Sequence, residues 1–96
     1  MLQFSTNTIQ KVLYILKRYM YIMKKFLILV FDIPREKAYL RVRVWRKLQM
    51  LKAKLEYGSH WILPYSRKNL IELKRICEEI RKFGGKAEVI RSEKIA

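Results

Sequence analysis

Residues 26–33, FLILVFDI, run from Phe26 to Phe31 without a polar residue and stop on Asp32, Ile33 and then Pro34. A strand with one wet face alternates apolar and polar side chains, whereas one covered on both faces is apolar throughout. The run therefore predicts a strand over 26–33 that needs a layer of structure above it and another below. Pro34 closes it, because proline has no amide hydrogen for the ladder and fixes its own φ. Everything else in the chain has to supply those two layers.

With 96 residues, 51% of them apolar, the chain holds enough material for one modest core. PREKA restarts as a helix running to about Leu51, with Leu40, Val44, Leu48 and Leu51 on one stripe and Val42 and Trp45 widening it. AKLEYGSHWILPY reads as two short strands, Ala53 to Tyr57 and His60 to Leu63, joined at Gly58 as a tight hairpin or a sharply bent strand. Ser66 or Asn69 caps a second helix that keeps Leu70, Leu73, Ile76, Cys77, Ile80 and Phe83 in helical period, and Gly84-Gly85 stops it. KAEVIRS is the last strand. Strand, helix, strand, strand, helix, strand over 26–96 predicts an α+β fold, a ferredoxin-like βαββαβ sandwich with an antiparallel sheet and both helices on one face. The other face is left for a second copy of the chain or for residues 1–25.

Those first residues carry Ile9, Val12, Leu13, Leu16, Tyr19, Met20 and Met23 at three- and four-residue steps, an amphipathic helix with Asn7 or Thr8 as its cap. Such a helix docks on the domain, pairs with its copy or lies on a membrane surface, and docking or pairing is the favoured expectation. Lys11, Lys17, Arg18, Lys24 and Lys25 interrupt every candidate span, so no stable membrane insertion is expected. Met20 and Met23 are alternative starts, and with the second of them residues 1–22 fall outside the native protein.

Lys and Arg number 22 against 8 acids, a net charge of +14, and the resulting field favours a polyanionic partner such as nucleic acid or an anionic membrane. The excess is densest after Pro34, where Arg35, Arg41, Arg43, Arg46 and Lys47 face Glu36 alone. Guanidinium groups grip phosphate oxygens bidentately, which makes these five the candidate nucleic-acid contacts, against the plainer reading of a solvated face. The single Cys77 excludes an intrachain disulfide and suits a reducing, cytoplasmic setting, and with His60 as the one histidine there is no structural zinc set in one copy. Cys77 reads as a small core residue. Trp45 and Trp61 fit the core better than a base-stacking role. His60 fits a structural donor better than a general base, and Ser59 beside it is expected on the opposite face of the strand.

Asp32 sits where a central strand leaves the sheet. Two copies paired through their sheets would set two such carboxylates face to face, able to share Mg2+ or Mn2+, hard cations that prefer oxygen ligands and activate water against a phosphodiester. Helix capping or an ion pair with a neighbouring arginine is the simpler role for the same residue.

The strand ending in FDI, the arginine-bearing helix and the following YGSHW resemble the small CRISPR-associated protein two family, whose strand ends in Tyr-Asp-Ile and whose later motif is Gln-x-Ser-Val-Phe. The resemblance implies a ferredoxin-like homodimer, either a metal-dependent nuclease or the structural centre of a spacer-integration complex, with Asp32 at the metal-linked position and Ser59 at the serine. Tyr57 stands where that family has its glutamine. DIPREKAYLRVRVWRKLQMLKA, HWILP and IRKFGGKAEV are similar to the N-terminal domain of the ChrB regulators and, more loosely, to the central domain of PaaX-type repressors. Arg43, Trp45, Arg46, Trp61 and Pro64 fall on matching positions, which implies a regulatory module that binds nucleic acid without cleaving it. Together these likenesses cover about residues 26–91. The expectation is a homodimeric nucleic-acid-binding module, with a metal-dependent endonuclease of DNA or RNA as the alternative.

Overall fold

The apolar run becomes β1, Lys25–Asp32, and lies inside a four-stranded sheet of order β2-β3-β1-β4, with β2 at Lys54–Glu56, β3 at His60–Pro64 and β4 at Lys86–Glu93. The computed structural model describes residues 6–19 and 25–93. All three pairings are antiparallel: Ile28 lies opposite Ile62 of β3 and Ile90 of β4, and Leu55 of β2 opposite Trp61. With α2 at Ala38–Met50 and α3 at Arg67–Lys82 as the two crossovers, this is the α+β, ferredoxin-like arrangement.

Alternation along β1 sends its two sets of side chains to two different cores. Leu27 and Leu29 join Trp61 and Leu63 of β3, Leu40, Val44 and Leu48 of α2, and Leu73, Ile76 and Ile80 of α3. Phe26 and Ile28 join Ile62 and a helix ahead of the sheet, α1 at Thr6–Tyr19, whose Ile15 is 1% exposed. The N-terminal helix therefore covers the second face, and Val12, Ile15 and Leu16 pack into the same body as the sheet. Each fully buried aliphatic chain contributes roughly 1.5–3 kcal/mol relative to exposure.

Several local expectations are corrected. On α1 the inward residues are Val12, Ile15 and Leu16, while Ile9 and Leu13 are exposed, so the stripe is rotated from the expected one. Asn7 and Thr8 lie within the helix and not at its cap, and Met20 and Met23 fall outside the described residues. After Pro34 the chain first makes a 3-10 turn, Arg35–Lys37, and neither that turn nor α2 has a side-chain cap, so Asp32 caps nothing. The buried stripe of α2 is narrower than expected: Val42 is exposed, and Trp45, 48% exposed, sets its ring at 85° to Trp61 with 4.8 Å between centroids.

Both main helices end in the same hydrogen-bond motif, in which the residue just past the end adopts left-handed φ. At α3 it is Gly84, φ 87°, with Gly84 N–H to Arg81 O at 3.1 Å and Gly85 N–H to Ile80 O at 2.9 Å. At α2 it is Lys52, φ 60°, with Lys52 N–H to Gln49 O and Ala53 N–H to Leu48 O, each 3.0 Å. Gly85 is needed for a second reason: a Cβ there would stand 2.7 Å from Asp32 O and 2.6 Å from Ile80 Cγ2.

Candidate nucleic-acid interface

A phosphate-binding surface needs cations that are exposed, gathered on one side and not already neutralised. The five residues singled out from the sequence meet these demands unequally. Leu40, Val44 and Leu48 fix which side of α2 faces the sheet, and at about 100° per residue this sets Arg41 on one flank and Arg43 and Lys47 on the other. Arg41 Nη2 donates to Ile33 O at 2.9 Å, tying the helix to the end of β1. Arg43 Nη2 stands 2.6 Å from Oε1 of Glu79 on α3, a close ionic contact without hydrogen-bond alignment, and Lys47 Nζ donates to Oε2 of the same carboxylate at 3.2 Å. Arg46 is exposed on the outer side and Arg35 on the 3-10 turn, neither with a partner among the described residues.

The outer ridge of α2 is also partly apolar, with Tyr39, Val42, Trp45 and Met50 all exposed. Three of the five cations thus form two flanks about a mixed ridge that also carries Arg46, and one flank is shared with α3 through Glu79. Exposed Arg67, Lys68, Lys74, Arg75, Arg81 and Lys82 line α3. They form basic doublets seven residues apart, and that spacing was the sequence signal available for finding them.

Asp32 ends β1 on the α1 side of the sheet, opposite Lys86 in register, and is exposed. Its carboxylate has no ion pair among the described residues, so the arginine pairing considered for it is absent as well. The described residues contain no group of three or more His, Cys, Asp or Glu side chains able to hold a metal ion. Asp32 thus belongs to no such group among the described residues of one copy. Where the sheets of two copies would meet, α1 lies across the face.

Ser59 and His60 are neighbours in space, contrary to expectation: Ser59 Oγ is 2.8 Å from His60 Nδ1. The reason is that Ser59 belongs to the turn before β3, where strand alternation does not apply. Tyr57, φ 54°, and Gly58, φ 70°, make that turn, closed by Ser59 N–H to Glu56 O at 3.2 Å. His60 is buried beneath α1, its Nε2 without a hydrogen-bond partner, and burial first and the Lys11 charge second hold its pKa below 6.5. Among the described residues no carboxylate bonds the ring, so the pair lacks the third member that an activated serine needs. Cys77 is buried on the inner side of α3, where burial pushes its thiol up to about 11. It is a packing residue and not a nucleophile.

No protein-family model matches the chain, and no curated protein or solved structure matches it. Among the described residues no helix is long and apolar enough to cross a membrane.

Proposed function

We propose that the chain is a nucleic-acid-binding module, acting as a homodimer, of the type its sequence resembles in the CRISPR-associated protein two, ChrB and PaaX groups. The observation that carries this reading is the charge balance of the outer helical layer. Arg35, Arg41, Arg43 and Arg46 are exposed on one short segment, in a protein of net charge +14, and Glu36 is the one acid in that segment. Such a layer attracts a polyphosphate through counterion release, which needs no base-specific contact. Equilibrium binding of the full chain to DNA and RNA at several salt concentrations tests it: affinity falls steeply as salt rises, and Asp32→Asn leaves it unchanged. Absence of binding at about 0.05 M salt contradicts the reading.

A second reading, a divalent-metal endonuclease, is supported by the uncommitted Asp32 carboxylate at the mouth of β1. It requires ligands beyond those of one copy, from a second copy or from the nucleic acid. Incubating DNA and RNA with Mg2+ or Mn2+ separates the two readings. Cleavage abolished by Asp32→Asn establishes the second, and intact substrate after prolonged incubation removes it.

A further inference from the structure

The sequence of α3 is RKNLIELKRICEEIRK, and its cations come as doublets at Arg67-Lys68, Lys74-Arg75 and Arg81-Lys82. Seven residues are about 20° short of two full helical turns, so doublets at this interval stay in register along one side. Leu73, Ile76, Cys77 and Ile80 are buried against the sheet, which turns all six cations outward, and all six are exposed. They form two parallel rows, 67-74-81 and 68-75-82, with steps of about 10.5 Å along the axis. Between the rows stand Ile71 and Glu78, both exposed.

Little of this charge is spent inside the protein. Arg75 Nη1 donates to Glu72 at 3.1 Å, a surface pair of small worth, and Arg81 Nη2 donates to Ala87 O. Arg67, Lys68, Lys74 and Lys82 have no partner among the described residues. By contrast, Arg43 and Lys47 of α2 both lean on Glu79.

We propose that the outer side of α3 is a track for the phosphate backbone of duplex nucleic acid, deepening the nucleic-acid reading on which it rests. Two features select the ligand. The helix contains no aromatic residue, so it lacks the stacking platforms by which single strands are held. Backbone charge alone then decides, and it is densest on a duplex, roughly one charge per 1.7 Å of axis. A rigid helix also presents its cations at fixed intervals, which a stiff duplex can meet without first being ordered. The contact reads no base sequence.

The test is fluorescence anisotropy of the full chain with a random-sequence duplex, as DNA and as RNA, and with the corresponding single strands, over a salt series. The triple variant Lys68→Gln, Lys74→Gln, Lys82→Gln is compared with Arg35→Gln, Arg46→Gln on the α2 side. The wild type prefers duplex to single strand. The α3 variant lowers the salt slope by about 3 and weakens duplex binding roughly a hundredfold at about 0.15 M salt. The matching Lys→Arg triple keeps wild-type binding. Glu78→Gln tightens it, a gain that misfolding does not mimic. Duplex binding with an unchanged slope in the α3 variant overturns the track while leaving nucleic-acid binding in place. So does a loss in that variant seen with anionic phosphatidylserine vesicles and not with duplex. If the wild type binds no nucleic acid at all, the broader reading falls and the track falls with it.

Discussion

Helices α2 and α3 lie on the same face of the sheet, each buries a stripe of aliphatic residues, and each stops in the same motif, yet their outer sides differ. On α2 three of the four cations are committed, Arg41 to the carbonyl of Ile33, and Arg43 and Lys47 to one carboxylate of α3, which leaves Arg46. Its ridge is left to Tyr39, Val42, Trp45 and Met50. On α3 the cations are arranged in two rows, and most of them are unengaged. Richness in arginine and availability to a ligand are therefore separate properties. The helix whose cations have no acids beside them in its own sequence is the one whose charge is partly used to hold the fold.

The largest expected effect concerns how α3 is seated. Gly85→Ala pushes a methyl against Asp32 O and Ile80 Cγ2, atoms that are backbone or buried, and costs about 1–3 kcal/mol in urea unfolding. Next comes an exchange at the two helix ends. Gly84→Ala places a Cβ at φ 87° and costs about 1 kcal/mol, while Lys52→Gly relieves φ 60° and gains up to about 1 kcal/mol in thermal melts. If the two changes have the same sign, the ends are not equivalent and the comparison fails at that point.

Glu79→Gln is the sharper functional probe. It costs under about 1 kcal/mol of stability, since Arg43 and Lys47 are about half exposed, and it releases both. Duplex binding then strengthens and its salt slope steepens by about 1–2, because freed cations reach phosphates. An unchanged slope would mean that α2 takes no part even when its charges are available.

The smallest effect lies on the other side of the sheet and serves as a control. His60 is the chain's one histidine and its pKa is lowered in the folded protein, so the unfolded chain binds more protons below 6.5. Stability is complete above that pH and falls as the pH drops from 6.5 toward the lowered value, and His60→Gln removes the dependence. His60 lies on the face of the sheet opposite α2 and α3, so melts at about pH 7.5 and 5.5 change with His60→Gln while that variant keeps the wild-type salt slope of duplex binding.

How far the sequence disclosed all this depends on the range of the interactions concerned. The order of strands and helices was legible because its signals are local: the uninterrupted run at 26–33, Pro34, and Gly84-Gly85. The rotation of α1 was not, since Ile9, Val12, Leu13, Ile15 and Leu16 spread apolar surface over much of the helix and the sheet decides which part it covers. Nor was the capture of Arg43 and Lys47 by Glu79, a pairing across more than thirty positions of chain. Ser59 was misplaced because its orientation follows from the left-handed turn at Tyr57 and Gly58. The doublets of α3 were in plain view, and their meaning depended on knowing that Leu73, Ile76 and Ile80 take the opposite side.

The most direct measurement is the affinity of the unmodified protein for a random-sequence duplex between about 50 and 200 mM salt. If six or more side chains of the α2 and α3 layer meet phosphates, the binding constant drops by roughly 10³ or more across that interval. A constant that holds steady, or a duplex that is ignored at the lowest salt, contradicts the account.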